Sequence, residues 1–399
     1  MNGDEQVAEP LYRVQRTAWL VGLIASGFAI AGFFIGGSTQ FFQPYLFAYL
    51  FWLGLTLGAL AWSLLNLLVG GRWGMPVRRI MEAASKNVWV MALLFLPIIF
   101  GFRSLYPWAR PDLVAEDPVL QHKSIYLNVP FVILRAVLYF VLWFALSRGI
   151  SGWTEKAAKA ADPEIKSRYQ RFSAFGSIAY VLSMTFASVD WIMSIQPDWF
   201  STVFGFLVIS AQTLTALSFA IVITPVLARQ KPLSEIMSPG IYRDLGALLF
   251  TNVMLWAYLA FSQYLIIWSG NLTEEITWFL DRSRGGWQWL GLLVILTQFA
   301  LPFSVLLSLR AKRNARILAS AAGIVLVIRL VDDFWEVIPT FRPNGFSLHW
   351  LDIIIALAMG GIWVAAFIWH LRSTPVLLAR EAQDYGPTEP REIRMGAHE

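Results

Sequence analysis

The chain of 399 residues contains no cysteine. Iron–sulfur clusters are held mainly by thiolates, so the chain by itself carries none. Covalent c-type haem needs C-x-x-C-H, which the same absence excludes. Histidine is nearly as scarce: His122, His349, His370 and His398 are all there are. A bis-histidine haem within a membrane needs two ligands at one depth. His349 and His370 fall about 30 Å apart along one helix at 1.5 Å per residue. Electrons handled here therefore pass to a partner chain or stay on a bound organic molecule. Charge is the third shortage. Charged residues make up 14% of the chain against 57% hydrophobic, with a mean hydropathy of +0.57.

What the chain has instead is long apolar runs. A membrane-spanning helix needs about 20 apolar residues, and ten runs qualify, at 17–37, 45–69, 88–105, 128–148, 172–194, 200–228, 243–269, 287–309, 314–338 and 347–371. These lengths predict an all-α polytopic membrane protein, because barrel strands are only about 9–11 residues and alternate. No soluble domain fits between the runs. Of the 31 Lys and Arg residues, 23 fall in the N-terminus, the loops after even-numbered spans and the C-terminal tail, and 6 in the alternate loops. The positive-inside rule then puts both termini in the cytoplasm. The net charge of +5 reflects this topology and not nucleic-acid binding. The predicted organisation is a cytoplasmic N-terminus at 1–16, a ten-helix domain at 17–371 and a charged, proline-containing tail at 372–399. The first span is read as retained and not as a cleaved signal.

Along the chain, Gly32/Gly36 and Gly54/Gly58 carry the G-x-x-x-G spacing that lets helix backbones approach. The stretch 70–87, with Arg72, Arg78, Arg79 and Lys86, reads as a solvated cytoplasmic loop facing lipid head groups. The stretch 149–171 reads as a loop with a short surface helix. A weak repeat links S-V-D-W-I-M, at the end of span five, to L-V-D-D-F-W in span nine. A shift of four spans predicts two four-helix bundles, spans 2–5 and 6–9, flanked by spans 1 and 10.

The stretch 186–205, FASVDWIMSIQPDWFSTVFG, breaks the apolar pattern at its midpoint with Asp190 and Asp198 among tryptophans. A carboxylate at a span centre costs about 2.5–3.5 kcal/mol, less near its end. By topology, Arg135, Asp190, Arg329, Asp332, Asp333, Glu336, His349 and Asp352 all lie in the outer half of the membrane, where they should face inward and pair. Arg329/Asp333 and Asp332/Glu336 are i, i+4 pairs, and His349/Asp352 is an i, i+3 pair. One reading is a polar pocket for a quinol head group, in which Asp190, Asp332, Asp333, Glu336, His349 and Asp352 accept or relay protons. Arg135, Arg329, Trp191, Gln263 and Tyr264 would then hold the ligand or pair with the acids. A second is proton or ion conduction without quinol, through Asn252, Tyr258, Gln263, Gln298 and the span-five serines. A third is structural ion pairing in a scaffold subunit.

At DWIMSIQPDWFSTVFG and FSQYLIIWSGNLTEEITWFLDRSRGGW the sequence resembles the second quinol-binding-type membrane subunit of alternative complex III. That complex is a bacterial quinol:electron-acceptor oxidoreductase, and the subunit belongs to the polysulfide-reductase membrane-subunit (NrfD-like) family. The resemblance implies two four-helix bundles flanked by single helices, and a place in the bacterial cytoplasmic membrane. It also implies a sister NrfD-like subunit, an extracytoplasmic iron–sulfur subunit and cytochrome c subunits as partners. Haem and iron–sulfur clusters would sit on those partners, with quinol or menaquinol the organic redox molecule. Asp190, Trp191, Trp199, Ser201, Gln263 and Glu275 carry over by motif. The sister subunit is the stronger candidate for the working quinol site.

Overall fold

The computed structural model describes residues 3–159, 163–228 and 233–373. The tail expected at 372–399 lies almost wholly outside the described residues, as does His398. The described chain is helical throughout, without strands, and eight of its helices are long and apolar enough to cross a membrane. In lipid no water can satisfy backbone N–H and C=O groups, so apolar runs of this length close their hydrogen bonds internally as helices.

The long helices are α1 (Gly3–Val69), α2 (Gly74–Ser85), α3 (Val88–Phe100), α4 (Val129–Lys159), α5 (Pro163–Trp191) and α6 (Phe204–Leu227). They continue with α7 (Pro239–Gly270), α8 (Thr273–Arg282), α9 (Trp287–Leu307), α10 (Ala315–Val337) and α11 (Trp350–Arg372). α1 is one helix in name only. Gly37 sits at φ 80°, ψ 174°, a conformation that glycine alone adopts without strain. Before it, Gly22 lies against Gly361 and Gly32 against Leu351. After it, Trp52 bonds Ala356 and Thr56 meets Trp363. The two halves therefore run in opposite directions along α11, and the chain reverses at Gly37.

Small residues set the closest crossings. A Cβ on Gly58 would stand 2.0 Å from the Gln212 carbonyl oxygen, and one on Gly361 2.4 Å from the Gly22 nitrogen. The glycine spacing read from the sequence thus serves packing at Gly32, Gly54 and Gly58, whereas Gly36 faces only its own helix at Gln40. Helix contacts close into two rings. One runs through α1, α3, α4 and α5, the other through α6, α7, α9 and α10, and they meet where α6 packs on α1 and α5.

Two loop expectations are corrected. The stretch 70–87 is not a solvated loop: α2 buries Arg79, Glu82, Ser85 and most of its apolar residues. Its apolar positions (Met75, Val77, Ile80, Met81) recur at helical spacing, and the arginines find a buried carboxylate. Arg78 and Arg79 approach Glu82 at 3.8 and 3.6 Å, and Thr154 donates to it at 2.9 Å. Charge is therefore buried near both ends of the helices. The stretch 149–171 is also not a loop with its own surface helix, because α4 and α5 extend through it to Lys159 and from Pro163.

Candidate functional site

Of the ionisable residues singled out in the sequence, Arg135, Asp190, Arg329, Asp332 and Asp352 are buried and Asp333, Glu336 and His349 partly buried, in three separate clusters. The first is built on α4 and α5. The Asp190 carboxylate is fully buried and accepts two bonds from Arg135, from Nε and Nη2, each 2.8 Å. Tyr139 donates to the same carboxylate at 3.0 Å. The remaining Arg135 nitrogen, Nη1, donates to the Tyr126 carbonyl at 3.0 Å, and the guanidinium lies over the Tyr126 and Phe131 rings at 3.8 and 4.3 Å. Every charge has a planar, two-pronged partner, the arrangement in which arginine binds carboxylate most firmly. Trp191 is packed among Phe95, Tyr139, Phe140 and Trp143, and its carbonyl accepts from the Tyr106 hydroxyl at 3.0 Å. Tyr106 lies outside the spans. Burial, and after it the Asp190 charge, pushes its phenol pKa up, so it stays a donor. Ser194 donates back to the Asp190 carbonyl at 2.6 Å from a short 3-10 turn, Met193–Ile195, that ends α5. Asp198 is exposed.

The second cluster faces the first across α6. On α10, Arg329 bonds both Asp332 and Asp333, and its Nε donates to Thr215 at 3.3 Å. The ladder expected from sequence spacing is thus a fork: one guanidinium serves two carboxylates. Glu336 is left over, and its carboxylate makes no hydrogen bond or ion pair among the described residues. Arg282, buried on α8, reaches the Glu336 backbone carbonyl and makes no bond to its carboxylate. Its Nη1 donates to Trp278 O at 2.8 Å and its Nη2 to the Glu336 carbonyl and to Thr340, with the guanidinium 3.7 Å over the Trp278 ring. Gln298 donates to Asp332 at 3.1 Å from a π-helical turn, Ile295–Ala300. Such a turn holds one extra residue and is frequent at functional sites.

Arg329, Asp333 and Glu336 line a cavity of about 20 Å³, closed by Thr215 and Gln212 of α6, Gly54 of α1 and Ile192 below Trp191. That volume holds about one water molecule. Small-molecule sites run to roughly 300–1,000 Å³, so this cavity is not quinol-sized. Gln212 carries the polar contact onward, accepting from Tyr180 at 2.8 Å. Tyr180 in turn accepts from Ser183 through its carbonyl at 3.0 Å, and Ser183 accepts from Trp143 at 2.9 Å. Ser183 and Asp190 therefore belong to neighbouring polar groups of α5, and Tyr180 and Gln212 join α5 to the cavity.

The third cluster is a helix start. His349 is the N-cap of α11: its Nδ1 accepts from the Leu351 N–H at 3.3 Å, and the Asp352 carboxylate accepts from the His349 N–H at 2.7 Å. Asp352 also takes two bonds from Arg342, at 2.9 and 2.8 Å. This pair forms a capping box, which satisfies backbone donors that a helix end leaves open. Gln263 is buried against Ser201 at 3.3 Å, so the two motif stretches touch there. Tyr264 stacks on Trp268 at the surface, and Tyr258 is 67% exposed, so neither reaches the cavity. Trp199 is buried and stacked on Trp278 at 5.1 Å. Glu275 lies in the first turn of α8. Among the described residues no group of three or more His, Cys, Asp or Glu side chains is arranged to hold a metal ion.

The sequence reading overlooked Arg282 as a neighbour of Glu336, and overlooked Glu82 altogether. An acid three and four residues after two arginines on an amphipathic helix was the available signal. Neither a family model nor a curated protein matches the chain.

Proposed function

We propose that the chain is a ten-span membrane subunit of a quinol:electron-acceptor oxidoreductase, and that its own part is to relay protons through the Arg329–Asp333–Glu336 cavity. The count of ten takes α1 as two spans and includes the charged helix α10. The two rings of helices then act as four-helix bundles, with the first half of α1 and α11 outside them. The membrane is the bacterial cytoplasmic membrane, with both termini on the cytoplasmic side. The sister membrane subunit, an extracytoplasmic iron–sulfur subunit and cytochrome c subunits hold the redox centres, and quinol is oxidised at the sister subunit. The resemblance of the two motif stretches supports this setting.

One observation carries the proton role. Three carboxyl groups, Asp332, Asp333 and Glu336, stand around one directly paired guanidinium, and the spare one opens onto a water-sized cavity. Buried charge is balanced by a partner or by a proton. A carboxyl without a directly bonded cation, facing a water-sized cavity, is a group that can take up and pass on a proton. Asp190 has no such freedom, because Arg135 and Tyr139 occupy it fully, so its part is to hold α4 to α5. The small cavity also favours a second reading, a proton-conducting unit that never meets quinol.

The test is purification of the tagged full chain from its own membrane in mild detergent, followed by addition of a short-chain quinol. The proposal expects haem-bearing chains to co-purify and quinol to reduce their haem. A chain that emerges alone, and that conducts protons in vesicles without quinol, supports the second reading and overturns the first.

A further inference from the structure

Four arginines are buried among the described residues, and three of them stand against carboxylates. Arg79 approaches Glu82, Arg135 bonds Asp190, and Arg329 bonds Asp332 and Asp333. Arg282 is the exception. Among the described residues its guanidinium donates only to neutral oxygens, the Trp278 and Glu336 carbonyls and the Thr340 hydroxyl, and its buried Nε–H has no partner. Asp281, next to it in the chain, is engaged elsewhere, by Gln196 at 3.3 Å and Arg284 at 3.9 Å. α8 lies outside the spans. There burial pushes the Arg282 pKa down to about 9, and the Glu336 and then the Asp281 charges push it back up. The guanidinium is therefore still charged at neutral pH, and a buried cation without a bonded anion is costly.

The spare acid and the spare base adjoin. Glu336 bonds no cation among the described residues, and Arg282 is anchored to the carbonyl of that same residue. The guanidinium is held in place, 3.7 Å over Trp278, which stacks on Trp199 at 5.1 Å. The glutamate is freer, because several rotatable bonds separate its carboxyl from the helix. The charges around it are Arg329, Asp332 and Asp333 on α10 and Arg282 on α8. The cavity walls supplied by α1, α6 and Ile192 carry none. We propose that Arg282 is a positioning residue for the relay, holding the Glu336 carboxylate while its proton is away. This rests on the reading of Glu336 as the relay carboxyl. When the proton leaves through the cavity, the carboxylate turns to the Arg282 Nε and Nη groups, in the two-pronged bond that Arg135 makes with Asp190. Reprotonation cancels the attraction and returns the neutral carboxyl to the cavity, where Arg329 already serves two other acids. The relay thus has two stations, and the fixed guanidinium marks the second.

The experiment is infrared difference spectroscopy of the purified full chain between acid and alkaline buffers, for the parent, Glu336→Gln and Arg282→Lys. Arginine labelled with nitrogen-15 in the guanidinium identifies the guanidinium bands. In the parent, alkaline buffer should remove a carboxyl band and shift a guanidinium band with it. Glu336→Gln should lose both changes. Arg282→Lys keeps a cation in place and should lose the guanidinium change alone. Arg282→Gln, which keeps a donor for the Glu336 and Thr340 oxygens, is the second variant and should show the same loss. A carboxyl change without a guanidinium change in the parent, or a guanidinium change that survives in either Arg282 variant, overturns the proposal and leaves the relay reading standing. A parent in which no Glu336 carboxyl band changes overturns the relay reading and the proposal with it.

Discussion

Removing Arg135 tests the assignment of Asp190 as a structural acid. In Arg135→Leu the fully buried Asp190 carboxylate loses two charge-assisted bonds and keeps only the Tyr139 hydroxyl. Breaking one side of a buried ion pair leaves an uncompensated charge and costs about 3–5 kcal/mol. Asp190→Leu strands the guanidinium in the same way, although the two rings beneath it and the Tyr126 carbonyl soften the loss. Arg135→Leu/Asp190→Leu removes both charges together. It leaves the Tyr139 hydroxyl and the Tyr126 carbonyl short of a partner, at about 1–3 kcal/mol each when buried. The double variant should therefore be more stable than the sum of the two single losses by roughly 2 kcal/mol or more. The assay is the midpoint of heat-induced aggregation in one detergent, read by size-exclusion chromatography. Additive losses, or an Arg135→Leu variant as stable as the parent, would refute the reasoning.

Other outcomes follow from the same geometry. Gly58→Ala sets a methyl 2.0 Å from the Gln212 carbonyl oxygen and should cost about 1–3 kcal/mol by overpacking, seen as a lower aggregation midpoint; Gly27→Ala, which meets nothing within 4 Å, should be neutral. His349→Ala should lose about 0.5–2 kcal/mol while His349→Asp, another good N-cap, recovers most of it, with the pH profile of any activity unmoved in both. Gln298→Leu leaves Asp332 without its neutral donor and should cost about 1–3 kcal/mol, measured as the same midpoint.

The helical, many-span character of the chain was legible from apolar run length alone, because lipid allows few alternatives. That the buried acids and arginines should pair followed from depth; that Arg135 takes Asp190 did not. Other features needed the third dimension. The His349/Asp352 spacing suggested a chemical pair, yet the same i, i+3 spacing before an apolar run is the signature of a helix start, and that is its use here. The reversal at Gly37 was already marked by the end of the apolar run 17–37 and the start of the next at 45, whereas the π-helical turn at Gln298 leaves no mark in hydrophobic periodicity. Stretch 70–87 reads as a loop because its arginines look solvated until Glu82 is seen beside them. Counting the acids as one pocket failed for a simple reason: equal depth along the helices does not place side chains in one hollow, and α6 stands between the Asp190 and Arg329 groups.

Glu336 is the carboxyl proposed to exchange protons with the cavity. The most direct measurement is proton movement per turnover, or per imposed gradient, by the assembled protein in vesicles carrying an internal pH dye. Glu336→Gln and Glu336→Asp are compared with the parent at matched assembly. Proton movement that falls to background in Glu336→Gln and returns in part in Glu336→Asp is the predicted result. Undiminished proton movement in Glu336→Gln would contradict the account.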